Sequence, residues 1–293
     1  MVRIGISGWS YPGWRGVFYP PGLPHSRELE FAASRMNTIE INGTFYRLQT
    51  AASFAKWYDA VPRDFEFAVK GSRFITHMKQ LHDVRQPLAN FFASGVLRLE
   101  EKLGPILWQF SPRMRFDGDR FSRFLDMLPK STGQAARLAR GHDARVKDPW
   151  TRTRRDRRIR HAIEIRDESF LIPEFMHLLR HCNAALVFSD AAEWVYVEDV
   201  TADFIYARLH GAEELYASGY DDEALARWAE KIRHWQRGSE PPDAQRIGPP
   251  PPRRAKRDVY VYFDNDAKVR APFDAMRLAD MLRGTTKRER KAA

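Results

Sequence analysis

Residues 39–46 read IEINGTFY. At the two-residue period of a strand, Ile39, Ile41, Gly43 and Phe45 face one way and Glu40, Asn42, Thr44 and Tyr46 the other. If helices cover the apolar side, the polar side lies in a barrel or cleft, where a carboxylate beside an amide can do chemistry. The same rule, applied to the ends of other strand-like runs, collects more such groups. FAVKGSRF offers Lys70, AIEIRD offers Glu164 and Arg166, and YARLHG offers Arg208 and His210. The sixth run ends in Asp190 and the eighth in Asp264–Asn265–Asp266. His77, in RFITHMKQL, falls just past the third run. Buried charges need partners, and these groups could supply one another. The plainer alternative is a structural ion-pair layer, with Glu164 paired to Arg208 and Glu40 to Lys70.

Eight runs have to position these residues. They are Arg3–Trp9, Thr38–Tyr46, Phe65–Phe74, Pro105–Ser111, His161–Asp167, Ala184–Asp190, Phe204–Gly211 and Val259–Asp266. Amphipathic stretches such as SRELEFAASRM, DGDRFSRFLDML and DDEALARWAEKIRHW alternate with them. Only the sixth strand lacks a clear long helix after it. Such alternation argues for a parallel sheet, and eight units argue for closure into a single (β/α)8 TIM-barrel-like domain over 1–284. The competing open, doubly wound sheet would carry a G-x-G-x-x-G loop after its first strand; SGWSYPGWRG has no such spacing. The first loop does carry Trp9, Tyr11, Trp14, Phe18 and Tyr19. Aromatics over a barrel mouth, Trp14 among them, can form a substrate wall, or they can simply cap the core.

The chain has 293 residues and a formal charge of +10, unevenly placed. Segment 134–161 carries net +7, segment 246–258 net +4 and segment 283–293 net +4, so the rest is mildly acidic. Residues 131–158 and 238–257 read as basic, Pro-rich inserts in two helix-to-strand loops, flexible rather than packed. Residues 285–293 read as a basic disordered tail. Helix-to-strand loops lie at the face of a barrel away from its active site. Nucleic acid is a possible partner for 134–161 and the tail, but only Trp150 offers the aromatic interleaving of a single-strand track. No apolar run approaches the length needed to span a bilayer, and one cysteine, Cys182, cannot form an internal disulfide. MVRIGISGW enters a strand pattern with no leader-like apolar core, so the expected location is cytoplasmic.

Seven blocks, in order, resemble those of the YecE-like family, catalogued as domain of unknown function 72. They are GISGWSYPGWRGVFYP, EINGTFYR, KGSRFITH, LWQFSP, AIEIRDESF, RLHG and YVYFDND. The resemblance spans nearly the whole chain apart from the inserts and the tail. It implies a TIM-barrel-like fold and does not supply an activity. Residue by residue it points to Glu40, Asn42, Thr44, Tyr46, Lys70, Thr76, His77, Gln109, Glu164, Arg166, Arg208, His210, Gly211 and Asn265. Two positions depart from the family pattern. Asp167 stands where many members have His after the fifth-strand Arg, and Asp264 stands where many have Asn.

The expected function is an enzyme, of hydrolase or isomerase type, acting on a small anionic or phosphorylated compound at the barrel mouth. Lys70, Arg166 and Arg208 would hold the anion. Glu40 or Glu164 would act as general base and His77 or His210 as general acid. Asn42, Tyr46, Gln109, Asn265 and Trp14 would complete the binding surface. A variant of this reading adds a divalent metal ion held by Glu40, Glu164, Asp190 and His210. The alternatives are a nucleic-acid-binding or nucleic-acid-processing protein, and a non-catalytic ligand sensor.

Overall fold

The computed structural model describes residues 1–191, 194–211 and 218–292, with side chains through 284. Eight strands form a closed barrel, each parallel to the next. They are β1 (Val2–Ser7), β2 (Thr38–Ile41), β3 (Glu66–Lys70), β4 (Leu103–Gln109), β5 (His161–Glu164), β6 (Ala185–Asp190), β7 (Phe204–Leu209) and β8 (Asp258–Phe263). β8 closes the barrel by pairing with β1, from Val2 opposite Val259 to Ile6 opposite Phe263. The helices are α1 (Glu28–Arg35), α2 (Gly43–Tyr46), α3 (Ala51–Asp59), α4 (Arg85–Ala93), α5 (Gly118–Met127), α6 (Thr132–Ala139), α7 (Pro173–Cys182), α8 (Asp222–Gln236) and α9 (Ala271–Ala292). No helix lies between β6 and β7 among the described residues.

The period-2 rule sorts each strand. Ile39, Ile41, Phe67, Val69, Ile106 and Trp108 face outward, into the core under the helices. Ala68, Leu107, Ala162, Val187, Tyr206 and Tyr262 fill the barrel itself. The buried phenol Oη of Tyr262 lies 2.8 Å from Thr38 Oγ1, so its polar end is satisfied. Gly5 is required where β1 meets β2: a Cβ there would sit 1.8 Å from the Thr38 carbonyl oxygen.

Strands end sooner than the alternation suggests. β2 stops at Ile41, and Gly43–Tyr46 turns into the short α2. β3 stops at Lys70, and Phe74–Met78 forms a wide helical turn. Thr44 and Tyr46 therefore leave the sheet face on which the alternation puts them.

The basic inserts are packed. Residues 132–139 form α6, capped by Ser131, which accepts from Gln134 N–H. The 150–158 stretch is tied down by Trp150 N–H to Ala93 O (2.7 Å) and Gly133 N–H to Asp156 Oδ1 (2.7 Å). Buried Glu100 accepts from Arg154 N–H and from Arg157. Arg98 and Arg152 both pack on the Trp150 ring. In the second insert, Ile247 and Gly248 donate their N–H groups to Asp199, and buried Arg257 donates to Gly238 O. These backbone and carboxylate contacts join residues far apart in the sequence, so composition alone does not reveal them. The 285–293 stretch, read as a disordered tail, enters α9 up to Ala292; its side chains lie outside the described residues.

Candidate functional site

Arg208, the last inward-facing residue of β7, is fully buried and organises the C-terminal end of the barrel. Its Nη2 donates to Glu40 Oε1 (3.0 Å) and Asp264 Oδ2 (2.7 Å); its Nη1 donates to Glu164 Oε2 (3.1 Å). One guanidinium thus joins carboxylates from β2, β5 and the end of β8, matching its planar fork of donors. Ser7 Oγ and Tyr206 Oη each donate to Glu40 at 2.5 Å, and Ser189 Oγ donates to Glu164 at 3.0 Å. Arg166 donates to Glu164 at 2.6 Å and packs on Trp194. His210 Nδ1 lies 3.2 Å from Asp264 Oδ2.

Burial alone would push the Glu164 and Asp264 carboxyls up. The adjacent groups outweigh it: the Arg166 and Arg208 charges hold Glu164 well below the usual carboxylate range, and the Arg208 charge, with a hydrogen bond from His210, lowers Asp264. Both stay ionised, and Glu164 is a poor proton acceptor at neutral pH.

Above this layer opens a cleft of about 890 Å³, lined by residues that include Trp9, Asn42, Tyr46, Trp57, Lys70, Gln109, Asp264 and Asp266. Lys70 is 8% exposed. Its Nζ lies 4.6 Å from the Phe45 ring and has no ion-pair partner among the described residues. Burial, then the Arg208 charge, push its pKa down. Asp266 shifts the other way, pushed up by burial and by Asp264.

The sequence-derived candidates divide by position. Asn42, Tyr46, Lys70 and Gln109 line the cleft, Tyr46 on its exposed rim. Glu40, Glu164, Arg208 and His210 come together beneath it, in the buried network, with Arg166 at its edge. Arg208 reaches no solvent and is spent on three carboxylates, so the expected direct contact with an anion does not fit its place. His77 is half-buried, bonds Thr76 Oγ1 through Nδ1 (2.9 Å) and packs on Phe45. Burial, then Lys70 and Arg166, push its pKa down, which favours neutral imidazole. Asn265 points away from the mouth and donates to Asp274 on α9 (3.0 Å). Trp14 is buried against Tyr11, Phe18 and Tyr19 and donates to Asp266 O, so it belongs to the core. Asp167 lies outside the network and caps the turn Glu168–Phe170, accepting from Ser169 N–H.

The metal reading does not fit these residues. Strand parity puts Ser189 inside the barrel and Asp190 outside, where Asp190 accepts from Trp228 Nε1 on α8 (3.0 Å). Glu40 and Glu164 are bridged by the Arg208 guanidinium. Among the described residues no group of three or more His, Cys, Asp or Glu could hold a metal ion.

Sequence reasoning missed Ser7, Ser189 and Tyr206 as partners of the carboxylates, and Trp57 as a cleft residue. Counting parity back from the inward Glu164 and Arg208 onto the paired positions of β6 would have found Ser189, which lies opposite Arg208 in the ladder. No signal in the sequence brings Trp57, from α3, over the mouth.

A parallel eight-stranded barrel with a polar cleft at the C-terminal ends of its strands, over a buried arginine–carboxylate network, is the class this geometry defines. The chain belongs to the family described as Protein of unknown function DUF72, which matches residues 3–293. It is 27% identical over 117 residues to the UPF0759 protein YunF of Bacillus subtilis, covering 38% of this chain and 40% of YunF. It is 29% identical over 133 residues to the UPF0759 protein YecE of Escherichia coli K12, covering 44% and 45%. The matched region thus spans less than half the length of these curated relatives. Among solved structures, a DUF72 family protein from Thermotoga maritima superposes with TM-score 0.72 at 24% identity, covering 97% of this chain and 99% of that one. One from Enterococcus faecalis superposes with TM-score 0.69 at 18% identity, covering 97% and 96%. At these identities the likeness concerns the fold. No helix among the described residues is long and apolar enough to cross a membrane.

Proposed function

We propose that the mouth cleft binds a small anionic compound and that the protein is an enzyme acting on it by proton transfer, as a hydrolase or isomerase does. The observation that supports this is Lys70: a buried amine, open to the cleft, with no ion-pair partner among the described residues. A buried cation is costly unless paired, and every nearby carboxylate of the network is engaged by Arg208. An anionic ligand would complete the pairing. Asp266, which lines the cleft beside Lys70, is the proton-transfer group of this reading, and burial and Asp264 push its pKa up. Arg208 positions and neutralises the carboxylates beneath.

The test is a thermal-shift screen of phosphate, phosphate esters and carboxylates against the wild type and Lys70→Met, which keeps the stem and removes the charge. Stabilisation of the wild type by an anion, absent in the variant, is expected. Equal shifts in both proteins would place anion binding elsewhere.

A second reading, nucleic-acid binding, draws on exposed arginines of the packed insert, such as Arg152, Arg154 and Arg155. Arg152, Arg154 and Arg155→Gln together test it without disturbing the packed backbone. Salt-sensitive oligonucleotide binding lost in that variant would favour it over the cleft.

A further inference from the structure

The cleft presents three kinds of surface together. One is aromatic: Trp9 and Trp57 stand edge to face, centroids 5.5 Å apart and planes at 81°. Another is a set of hydrogen-bonding side chains, Asn42, Gln109 and Asp266. The Gln109 amide makes no side-chain hydrogen bond among the described residues. The third is Lys70, a buried amine that lines the cleft.

Each surface excludes some ligands. A flat heteroaromatic ring is best held by a parallel-walled slot, and an 81° corner between two indoles is not one. A purely apolar ligand would leave Gln109, Asp266 and Lys70 desolvated and unpaired. A bare inorganic anion would use Lys70 and leave most of about 890 Å³ unfilled. A saturated ring with C–H groups on its face and hydroxyls around its edge meets all three surfaces. Its face packs on an indole, its hydroxyls donate to the Asp266 carboxyl and pair with the Asn42 and Gln109 amides, which both donate and accept, and an acidic substituent reaches Lys70.

We infer that the cleft takes an anionic sugar, a hexose- or pentose-sized ring bearing a phosphate or carboxylate, with the acid group on Lys70 and the ring against the Trp9–Trp57 corner. This rests on the anion-binding reading above and adds the ring to it.

The experiment is calorimetric titration of the full chain with inorganic phosphate, glycerol 3-phosphate, and a panel of hexose phosphates, pentose phosphates and hexuronates. At least one ring compound is expected to bind ten-fold or more tighter than glycerol 3-phosphate. Trp57→Ala should remove that advantage while leaving the affinity for inorganic phosphate within two-fold. A panel in which no ring compound exceeds glycerol 3-phosphate overturns the sugar assignment and leaves the anion site standing. An unchanged ring preference in Trp57→Ala also overturns it. If no anion binds, including phosphate, the anion-site reading fails and the sugar assignment with it.

Discussion

Arg208→Met removes one guanidinium and strands three carboxylates. Glu40 and Glu164 are fully buried and Asp264 nearly so, and Arg208 donates to all three at 2.7–3.1 Å. Taking one partner from a buried ion pair costs about 3–5 kcal/mol because the other charge is left without compensation. Arg166 still pairs with Glu164, but Glu40 and Asp264 lose their only arginine, and the neutral donors Ser7, Tyr206 and Ser189 offset only part of the loss. A loss of about 3–5 kcal/mol at pH 7.5 is a large share of the ~5–15 kcal/mol typical of a folded domain. At roughly 2–4 °C per kcal/mol it lowers Tm by about 6–20 °C. The pH dependence gives a sharper signature. In the wild type, Glu164 and Asp264 have folded pKa values below their ordinary 4.5 and 3.8. Their contribution is present above those ordinary values and is lost as pH falls through the folded ones. Without Arg208 both carboxyls lose a lowering charge, Asp264 its largest, so their pKa values rise and the variant gains relative stability on acidification. Denaturation midpoints from pH 7.5 to 4.5 should show the gap between variant and wild type closing. A deficit under 2 °C at pH 7.5, or one that widens on acidification, would refute the reasoning.

Three further outcomes follow from the same geometry. Tyr206→Phe deletes the 2.5 Å donor to Glu40 Oε2 and is expected to cost about 1–3 kcal/mol in urea denaturation; a neutral result would mean the phenol is not needed there. Gly5→Ala drives a methyl to 1.8 Å from the Thr38 carbonyl oxygen inside a parallel ladder, so destabilisation beyond about 4 kcal/mol is expected, read as loss of a cooperative melt. Because burial and Arg208 depress the Lys70 pKa, an anion that pairs with it raises that pKa again. Anion binding should therefore take up protons, and affinity should fall as pH rises through the free protein's Lys70 pKa; calorimetry in two buffers of different ionisation heat measures the uptake, and proton release would contradict the assignment.

The barrel was legible because the strands carry apolar outward faces and end in polar inward residues, and because helices separate most of them. Glu40, Lys70, Glu164 and Arg208 were found by that parity alone. Where the pattern continued past the sheet it misled. Gly43–Tyr46 keeps a two-residue alternation while folding as a helical turn, since nothing in the pattern marks where the chain leaves the ladder. Asp190 ends its strand but belongs to the outward set, and its polar end is satisfied by Trp228, a long-range partner. The pairing of charges was not legible either. The plainer ion-pair reading had Glu164 with Arg208, which the structure shows, and Glu40 with Lys70, where the structure instead puts Glu40 on Arg208. That exchange leaves Lys70 without an ion-pair partner among the described residues, and it depends on distances across the barrel that sequence spacing does not carry. The inserts were misread from composition, because buried Glu100 and Asp199 hold the basic segments through backbone N–H groups.

The most direct measurement on the mouth cleft is a crystal soaked in selenate, a phosphate-like anion whose selenium is located by anomalous scattering. Expected is an anomalous peak in the cleft, with oxygens within hydrogen-bonding distance of Lys70 Nζ, absent in Lys70→Met crystals soaked in the same way. Selenate found only on surface arginines, with the space before Lys70 holding none, would contradict the assignment of the cleft as an anion site.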